Sequence, residues 1–147
     1  MNRKFKIHVE QLHSAFEKLR KGTPCTTRQD MPAKGVYLFS EGGKHLYVGR
    51  SNNIPRRYAT HRSMQGALVF ILAAEASKRK KPTYRKGEGR RDLFRDPQFK
   101  PYLRDAQLRI KNMSFRAVAQ EDPTRQALLE VYCAVALNTR YNDFDTH

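Results

Sequence analysis

Four side chains able to transfer protons or bind anions lie in one short stretch of this chain. Residues 35–61 read GVYLFSEGGKHLYVGRSNNIPRRYATH and carry Tyr37, Tyr47, Arg57 and His61. Phenol and imidazole groups donate and accept protons, and a guanidinium presents a planar fork of N–H donors that matches phosphate oxygens. A hairpin and one helical turn would bring these two phenols, the guanidinium and the imidazole together.

A β-hairpin is predicted to position the two tyrosines. The patterns at Val36–Ser40 and His45–Val48 indicate two short strands, and 41–44 (EGGK) joins them. Paired glycines supply the positive φ that a tight hairpin turn needs. Tyr37 and Tyr47 therefore lie on the two strands of the hairpin.

A short helix is predicted to carry the arginine and the histidine. After the loop at 50–53, either Asn52 or Asn53 can cap a helix, and Pro55 fits its first turn, where a missing N–H is harmless. Arg57 and His61 are four residues apart and share one face of such a helix.

These residues and spacings resemble the GIY-YIG nuclease family. The tripeptide at 35–37 (GVY) matches the first family tripeptide and 47–49 (YVG) the second, and Arg57 and His61 fall at the family offsets. An ordinary hairpin with half-buried strand tyrosines explains the phenols. It does not explain Arg57 and His61 in register, and the resemblance extends over about 32–142.

A second informative stretch begins at Asp122-Pro123, a cap followed by a first-turn proline, which predicts a helix over roughly 123–138. From 127 to 137 it reads ALLEVYCAVAL, apolar on every side except for Glu130, and this predicts a helix buried all round. A carboxylate there must be paired, protonated or bound to a cation. An ion pair with an arginine is the structural alternative to a cation site.

The resemblance implies a metal-dependent DNA endonuclease with a catalytic residue at each of six positions. Glu130 would bind Mg²⁺ or Mn²⁺, Arg57 would hold the phosphoryl oxygens, and Tyr37 would accept a proton from water and pass it to His61. Tyr47 would shape the pocket, and Asn142, in a Tyr-Asn pair like that of the family, would hold a loop or make an active-site hydrogen bond. The alternative is a catalytically idle nucleic-acid-binding module.

The same resemblance implies an α/β (α+β) domain, built on a small three-stranded, mainly antiparallel sheet flanked by helices. Apolar residues at helical intervals over 8–21 predict an extra N-terminal helix that Gly22 ends. We therefore divide the chain into an N-terminal helix and connection, 1–31, and a nuclease-like domain, 32–147.

Three further elements are predicted between the two motifs. The apolar block 67–74 (ALVFILAA) favours a helix, with a buried strand as the alternative. A helix is expected to begin at Asp96 or Pro97 and end near Lys111. Alternating apolar residues over 113–119 indicate the third strand of the sheet.

The charge of the chain favours a polyanionic partner. The formal net charge is +15, and the segment 78–91 (KRKKPTYRKGEGRR) has eight basic residues against one acid, broken by proline and glycines into a predicted loop. A merely solvated basic surface and an acidic membrane are the other interpretations, but no amphipathic basic helix with bulky apolar anchors supports the membrane. The residues predicted to contact nucleic acid are Arg50, Arg56, Lys78, Arg79, Lys80, Lys81, Arg85 and Lys86.

The two cysteines, Cys25 and Cys133, are far apart and have no metal-ligand spacing, which argues against a disulfide framework and a zinc site. No stretch has the length and apolarity of a signal peptide or a membrane span. We therefore expect a cytoplasmic monomer that acts on DNA, with no membrane partner and no small-molecule cofactor.

Overall fold

A computed structural model of the protein describes residues 1–78 and 89–144. Within them it shows an α+β fold, in which helices flank a three-stranded antiparallel sheet, and this confirms the predicted fold class. The elements in chain order are α1 Arg3–Lys21, a 3₁₀ turn Arg28–Asp30, β1 Gly35–Glu41, β2 Lys44–Ser51, α2 Ile54–His61, α3 Ala67–Ser77, α4 Arg90–Arg95, α5 Lys100–Lys111, β3 Ser114–Ala119 and α6 Pro123–Leu137. None of these helices is both long and apolar enough to cross a membrane.

The predicted hairpin is present as β1 and β2. Gly42 and Gly43 adopt φ of +57° and +80°, the left-handed values that a two-residue turn requires. Strand β1 lies at the centre of the sheet, between β2 and β3, and is antiparallel to both. The register with β2 shifts between Phe39 and Ser40, where the strand carries a bulge.

Strand β1 is buried on both faces because it is the central strand. Val36 and Leu38 belong to a core cluster shared with α1 and α6. The alternate residues Tyr37 and Phe39 lie on the opposite face, where their rings pack with Phe115 of β3 at centroid separations of 5.4 and 4.9 Å. The first tripeptide is therefore fixed by packing on two sides.

Helix α1 is a part of this core. Its apolar stripe, Leu12, Phe16 and Leu19, is buried against Leu129 and Cys133 of α6 and the inner face of the sheet. The helix begins at Arg3, earlier than the apolar pattern predicts, because the Asn2 side chain accepts a hydrogen bond from the Phe5 N–H and caps the helix there.

The chain forms two compact units. The first contains Met1–Arg57 and Met113–His147, and the second contains Tyr58–Asn112. This division differs from the predicted boundary near residue 31, because α1 shares the core of the first unit. The boundary between the units falls within α2.

Helix α6 begins as predicted, since the Asp122 side chain accepts a hydrogen bond from the Arg125 N–H at 2.8 Å. The expectation that α6 is buried all round is wrong. Val131 and Val135 are 45% and 69% exposed, while Leu129 and Cys133 on the opposite side are buried. The helix packs with one stripe only, and alanine and valine tolerate exposure on the remainder.

In the second unit, 67–77 is a helix, as predicted. This helix, α3, packs on α5, and the ring centroids of Phe70 and Phe99 are 6.2 Å apart. The predicted start of α5 at Asp96 or Pro97 is wrong. The Asp96 Oδ1 accepts from the Gln98 N–H at 2.9 Å, which forms a turn, and the helix begins only at Lys100.

Helix α4 also departs from the prediction. Arg90 and Arg91 open this helix, although the sequence placed them at the end of a loop. The Asp92 carboxylate accepts a hydrogen bond from the Gly89 N–H at 3.2 Å and so caps the helix start. The rest of the predicted basic loop, 79–88, lies outside the described residues.

Candidate active site

Tyr37 occupies the middle of the first unit's sheet. It pairs with Gly49 on β2 and with Ala117 on β3, and its side chain is buried. A Cβ placed on Gly49 would lie 2.2 Å from the Tyr37 phenol oxygen. The last residue of the second tripeptide is therefore a glycine because the phenol of the first crosses directly over it.

Gly35, the first residue of the other tripeptide, must be a glycine for a different reason. A Cβ there would lie 1.9 Å from the carbonyl oxygen of Val118 on β3. The backbones of β1 and β3 thus approach too closely for any side chain at this position. Each tripeptide therefore contains a glycine that the packing of the sheet requires, at the start of the first and at the end of the second.

Three ionisable side chains act on the Tyr37 phenol. Burial raises its pKa far above the ordinary value, and the neighbouring Tyr47 phenol raises it as well. The positive charge of Arg57 acts in the opposite direction, and the carboxylate of Glu130 raises the pKa further. In the free protein Tyr37 therefore keeps its proton, and it needs added positive charge before it can act as a base.

Arg57 presents an exposed guanidinium to this group from helix α2. The Asn53 side chain accepts a hydrogen bond from the Arg56 N–H at 3.2 Å, so Asn53 is the asparagine of the pair that caps the helix. The Ile54 N–H donates to the Ala33 carbonyl at 2.8 Å and ties the helix start to the segment before β1. The position of Arg57 is therefore set by contacts at the start of its helix.

Glu130 lies on α6 opposite Arg50, which directly follows the second tripeptide. The distance from the Arg50 Nε to the Glu130 Oε1 is 3.7 Å, and the two side chains are 45% and 27% exposed. Burial raises the pKa of the carboxyl, and the charge and backbone amide of Arg50 oppose this rise. The alternative of an arginine partner, left open by the sequence, is thus realised by a residue predicted to contact nucleic acid.

The donor set around Glu130 suits one class of metal ion. The described residues hold no cluster of three or more His, Cys, Asp and Glu side chains that could hold a metal ion. A single carboxylate fits Mg²⁺, which keeps several waters and takes further oxygens from a substrate. The half-buried carboxylate of Glu130, compensated by the loosely paired guanidinium and the backbone amide of Arg50, is consistent with this use.

Asn142 binds the backbone of the second tripeptide. Its Oδ1 accepts from the Val48 N–H and its Nδ2 donates to the Val48 carbonyl, both at 2.8 Å. Thr139 donates its hydroxyl to the same Oδ1 at 2.7 Å, and the Tyr141 N–H donates to the Leu46 carbonyl at 3.1 Å. The geometry places Asn142 as a positioning residue on the outer edge of β2.

His61 lies one helical turn after Arg57 on α2, in the second unit. Its side chain is buried, and the backbone of Gly66 lies so close that an added Cβ would be 2.9 Å from the His61 Cα. The proton-accepting role assigned to His61 by the resemblance stays a prediction.

The residues predicted to contact nucleic acid are described only in part. Arg56 is exposed on α2, and Lys78 is exposed at the end of α3 in a left-handed conformation with φ of 58°. Arg50 faces Glu130. The remaining positions, Arg79, Lys80, Lys81, Arg85 and Lys86, lie outside the described residues.

Gln126 is a site residue that the sequence analysis missed. It is buried on α6, and its Nε2 donates to the Gln120 carbonyl at 3.1 Å and lies 3.4 Å from the Ser51 carbonyl. It thereby ties α6 to the end of β2 beside Arg50. The sequence pattern that could have identified it is its spacing, because Gln126 and Glu130 are four residues apart and share one helix face.

The first unit thus assembles Tyr37, Tyr47, Arg57 and Glu130 from β1, β2, α2 and α6. Arg50, Gln126 and Asn142 hold or face this group. Comparisons of the chain with protein-family models, with curated proteins and with solved structures found no match.

Proposed function

We propose that this protein is a metal-dependent endonuclease that hydrolyses phosphodiester bonds in DNA, as its resemblance to the GIY-YIG nucleases implies. The observation that carries the proposal is that the Tyr37 phenol lies directly over Gly49 of the second tripeptide, where Tyr47, Arg57 and Glu130 all act on its charge. A hairpin stabilised only by strand tyrosines has no need of a carboxylate from α6 beside them. Two phenols, a guanidinium and a carboxylate are groups that phosphodiester hydrolysis uses.

In this proposal Arg57 binds the phosphoryl oxygens as negative charge develops on them. Its guanidinium is exposed, and its fork matches the geometry of a phosphate. Its positive charge also lowers the pKa of Tyr37, although burial outweighs this effect in the free protein. A divalent cation at Glu130 would supply the remaining positive charge and stabilise the leaving oxygen.

The substrate class follows from charge. A net charge of +15 attracts a polyanion, and binding releases counterions from its phosphates. Exposed Arg56 and Lys78 are two of the predicted contacts. DNA is the polyanion that the family resemblance implies.

An idle nucleic-acid-binding module is the second candidate, and one observation favours it. The Glu130 carboxylate already faces an arginine, and Tyr37 is held protonated, so the carboxylate of this group has a cationic partner in the free protein. A protein that only binds nucleic acid would need nothing more. Cleavage assays separate the two candidates.

The test is incubation of the purified protein with plain, flapped and branched DNA, in Mg²⁺ or Mn²⁺ and in EDTA. We expect cleavage only with metal, and a loss of more than about 100-fold in Glu130→Gln. Glu10→Gln, an exposed carboxylate on α1, is the matched control and should cut as the wild type does. Metal-independent binding without any cleavage would support the idle module instead.

A melting curve shows whether Glu130→Gln acts on chemistry or on folding. Because Arg50 is 45% exposed, it stays hydrated when its partner loses its charge. The free energy of unfolding should therefore change by less than about 1 kcal/mol. A variant that melts far below the wild type and still cuts DNA would show that Glu130 serves the fold and not the reaction.

A further inference from the structure

The ion pair between Arg50 and Glu130 is loose. The Nε–Oε1 distance of 3.7 Å exceeds the 2.7–2.9 Å that is typical of a charge-assisted hydrogen bond between a guanidinium and a carboxylate. Within the described residues the Arg50 side chain makes no hydrogen bond, and 45% of it is exposed. A charge held this way can exchange partners at little cost.

The backbone on both sides of Arg50 is fixed, in contrast to its side chain. Asn142 binds both polar backbone groups of Val48, and the Gln126 amide lies against the Ser51 carbonyl. Only the long side chain is left to move. The backbone from which it extends is held beside the second tripeptide, within reach of the carboxylate of Glu130.

We propose that Arg50 takes the place of the divalent cation at Glu130 in the DNA-free protein and moves onto a phosphate when DNA binds. Metal binding at Glu130 is thereby coupled to DNA binding. The inference rests on the proposed function, because it takes Glu130 as the metal ligand.

The physical reason is competition for one carboxylate. A guanidinium beside Glu130 offsets the charge that attracts a cation, and it repels a second cation that approaches. A phosphate binds arginine through two parallel hydrogen bonds, which the loose pair with Glu130 does not provide. When the Arg50 side chain moves to a phosphate of the substrate, it no longer offsets the negative charge of the Glu130 carboxylate. By linkage, metal must strengthen DNA binding by the same factor.

The experiment measures Mn²⁺ binding, with no cleavage involved. Free Mn²⁺ is followed by electron paramagnetic resonance during titration of the wild type, Arg50→Gln, Lys44→Gln and Glu130→Gln in the absence of DNA. Lys44 is exposed at the other end of β2 and loses the same charge, so it is the matched control. Arg50→Gln should bind Mn²⁺ about fivefold or more tightly than the control, at the low end of typical coupling.

A second titration adds a short DNA duplex, with the Mn²⁺ bound by the duplex alone subtracted. The wild-type affinity for Mn²⁺ should rise on addition of the duplex, and the rise should be smaller in Arg50→Gln. Equal Mn²⁺ affinity of Arg50→Gln and Lys44→Gln would overturn the inference and leave the proposed function standing. If Glu130→Gln instead binds Mn²⁺ as tightly as the wild type, Glu130 is not the metal ligand, and both proposals are contradicted.

Discussion

Asn142 holds both polar backbone groups of Val48, a residue 94 positions earlier in the chain, at 2.8 Å each. Strand β2 is an edge strand, since β1 alone pairs with it among the described residues, and its outer N–H and C=O groups need partners. The amide of Asn142 supplies one donor and one acceptor, as a neighbouring strand would. The second tripeptide is therefore held from both sides.

Asn142→Ala should destabilise the fold. Loss of both hydrogen bonds leaves the backbone of buried Val48 without its outer partner and should lower the free energy of unfolding by about 1–3 kcal/mol, measured by urea denaturation. Asn112→Ala is the control, because the Asn112 side chain makes an exposed bond to the Leu108 carbonyl. A stable Asn142→Ala protein that no longer cuts DNA would assign Asn142 to the reaction and contradict the positioning role.

Alanine should be tolerated less well at Gly35 than at Gly49. At Gly35 the new Cβ meets a backbone carbonyl, which can move only with strand β3. At Gly49 it meets the Tyr37 ring, which is buried but can shift, so this change should cost about 1–3 kcal/mol. Urea denaturation of both variants gives the comparison.

A double-mutant cycle checks the cause at Gly49. Combining Gly49→Ala with Tyr37→Leu removes the ring that the new Cβ meets, so the two changes together should cost less than their separate costs added. Strict additivity, or a Gly35→Ala protein as stable as the wild type, would contradict the close approaches seen in the sheet.

Stability at high pH should depend on Tyr37. Burial raises the pKa of its phenol in the folded protein above the unfolded value of about 10. The stabilisation is fully present below pH 10 and is lost as the pH rises above it, because the unfolded chain then releases a proton that the folded protein keeps. The wild type should thus lose about 1 kcal/mol more than Tyr37→Phe between pH 8 and pH 11 in urea denaturation.

Tyr102→Phe is the control for that measurement. Tyr102 is exposed on α5, and its replacement should keep the full wild-type loss of stability at high pH. Identical pH dependence in the wild type and in Tyr37→Phe would mean that the phenol ionises as easily in the folded protein as in the unfolded chain.

Arg57→Lys separates binding of the phosphate from catalysis. Lysine keeps the charge but loses the planar fork, so the cleavage rate should fall by about 100-fold or more while duplex affinity changes by less than about threefold. Arg3→Lys, at an exposed position at the start of α1 that is not among the predicted contacts, should change neither. Single-turnover cleavage and fluorescence anisotropy measure the two quantities, and a loss confined to affinity would place Arg57 in the substrate footprint alone.

Several elements were predictable because their causes are local. Gly42 and Gly43 take the positive φ that the hairpin needs, and Asp122 caps the helix that Pro123 opens. The helix at 67–77 follows from its composition. In each case the deciding interactions join residues within a few positions of one another, which a sequence pattern expresses directly.

The partners of the site residues were not predictable in this way. The sequence placed Glu130 on a helix and named an arginine as one possible partner, but only the packing of α6 against β2 selects Arg50. The same packing buries Gln126 and leaves Val131 and Val135 exposed on a helix whose composition indicated burial on all sides.

The sequence by itself therefore determined the hairpin, the starts of α2 and α6 and the types of side chain available for chemistry. Tertiary structure alone decided that Asn142 binds Val48, that the Tyr37 ring covers Gly49, and that a carboxylate from α6 acts on the same phenol. The physical reason is distance along the chain. Contacts between residues tens of positions apart depend on how whole elements pack, and no local pattern records that packing.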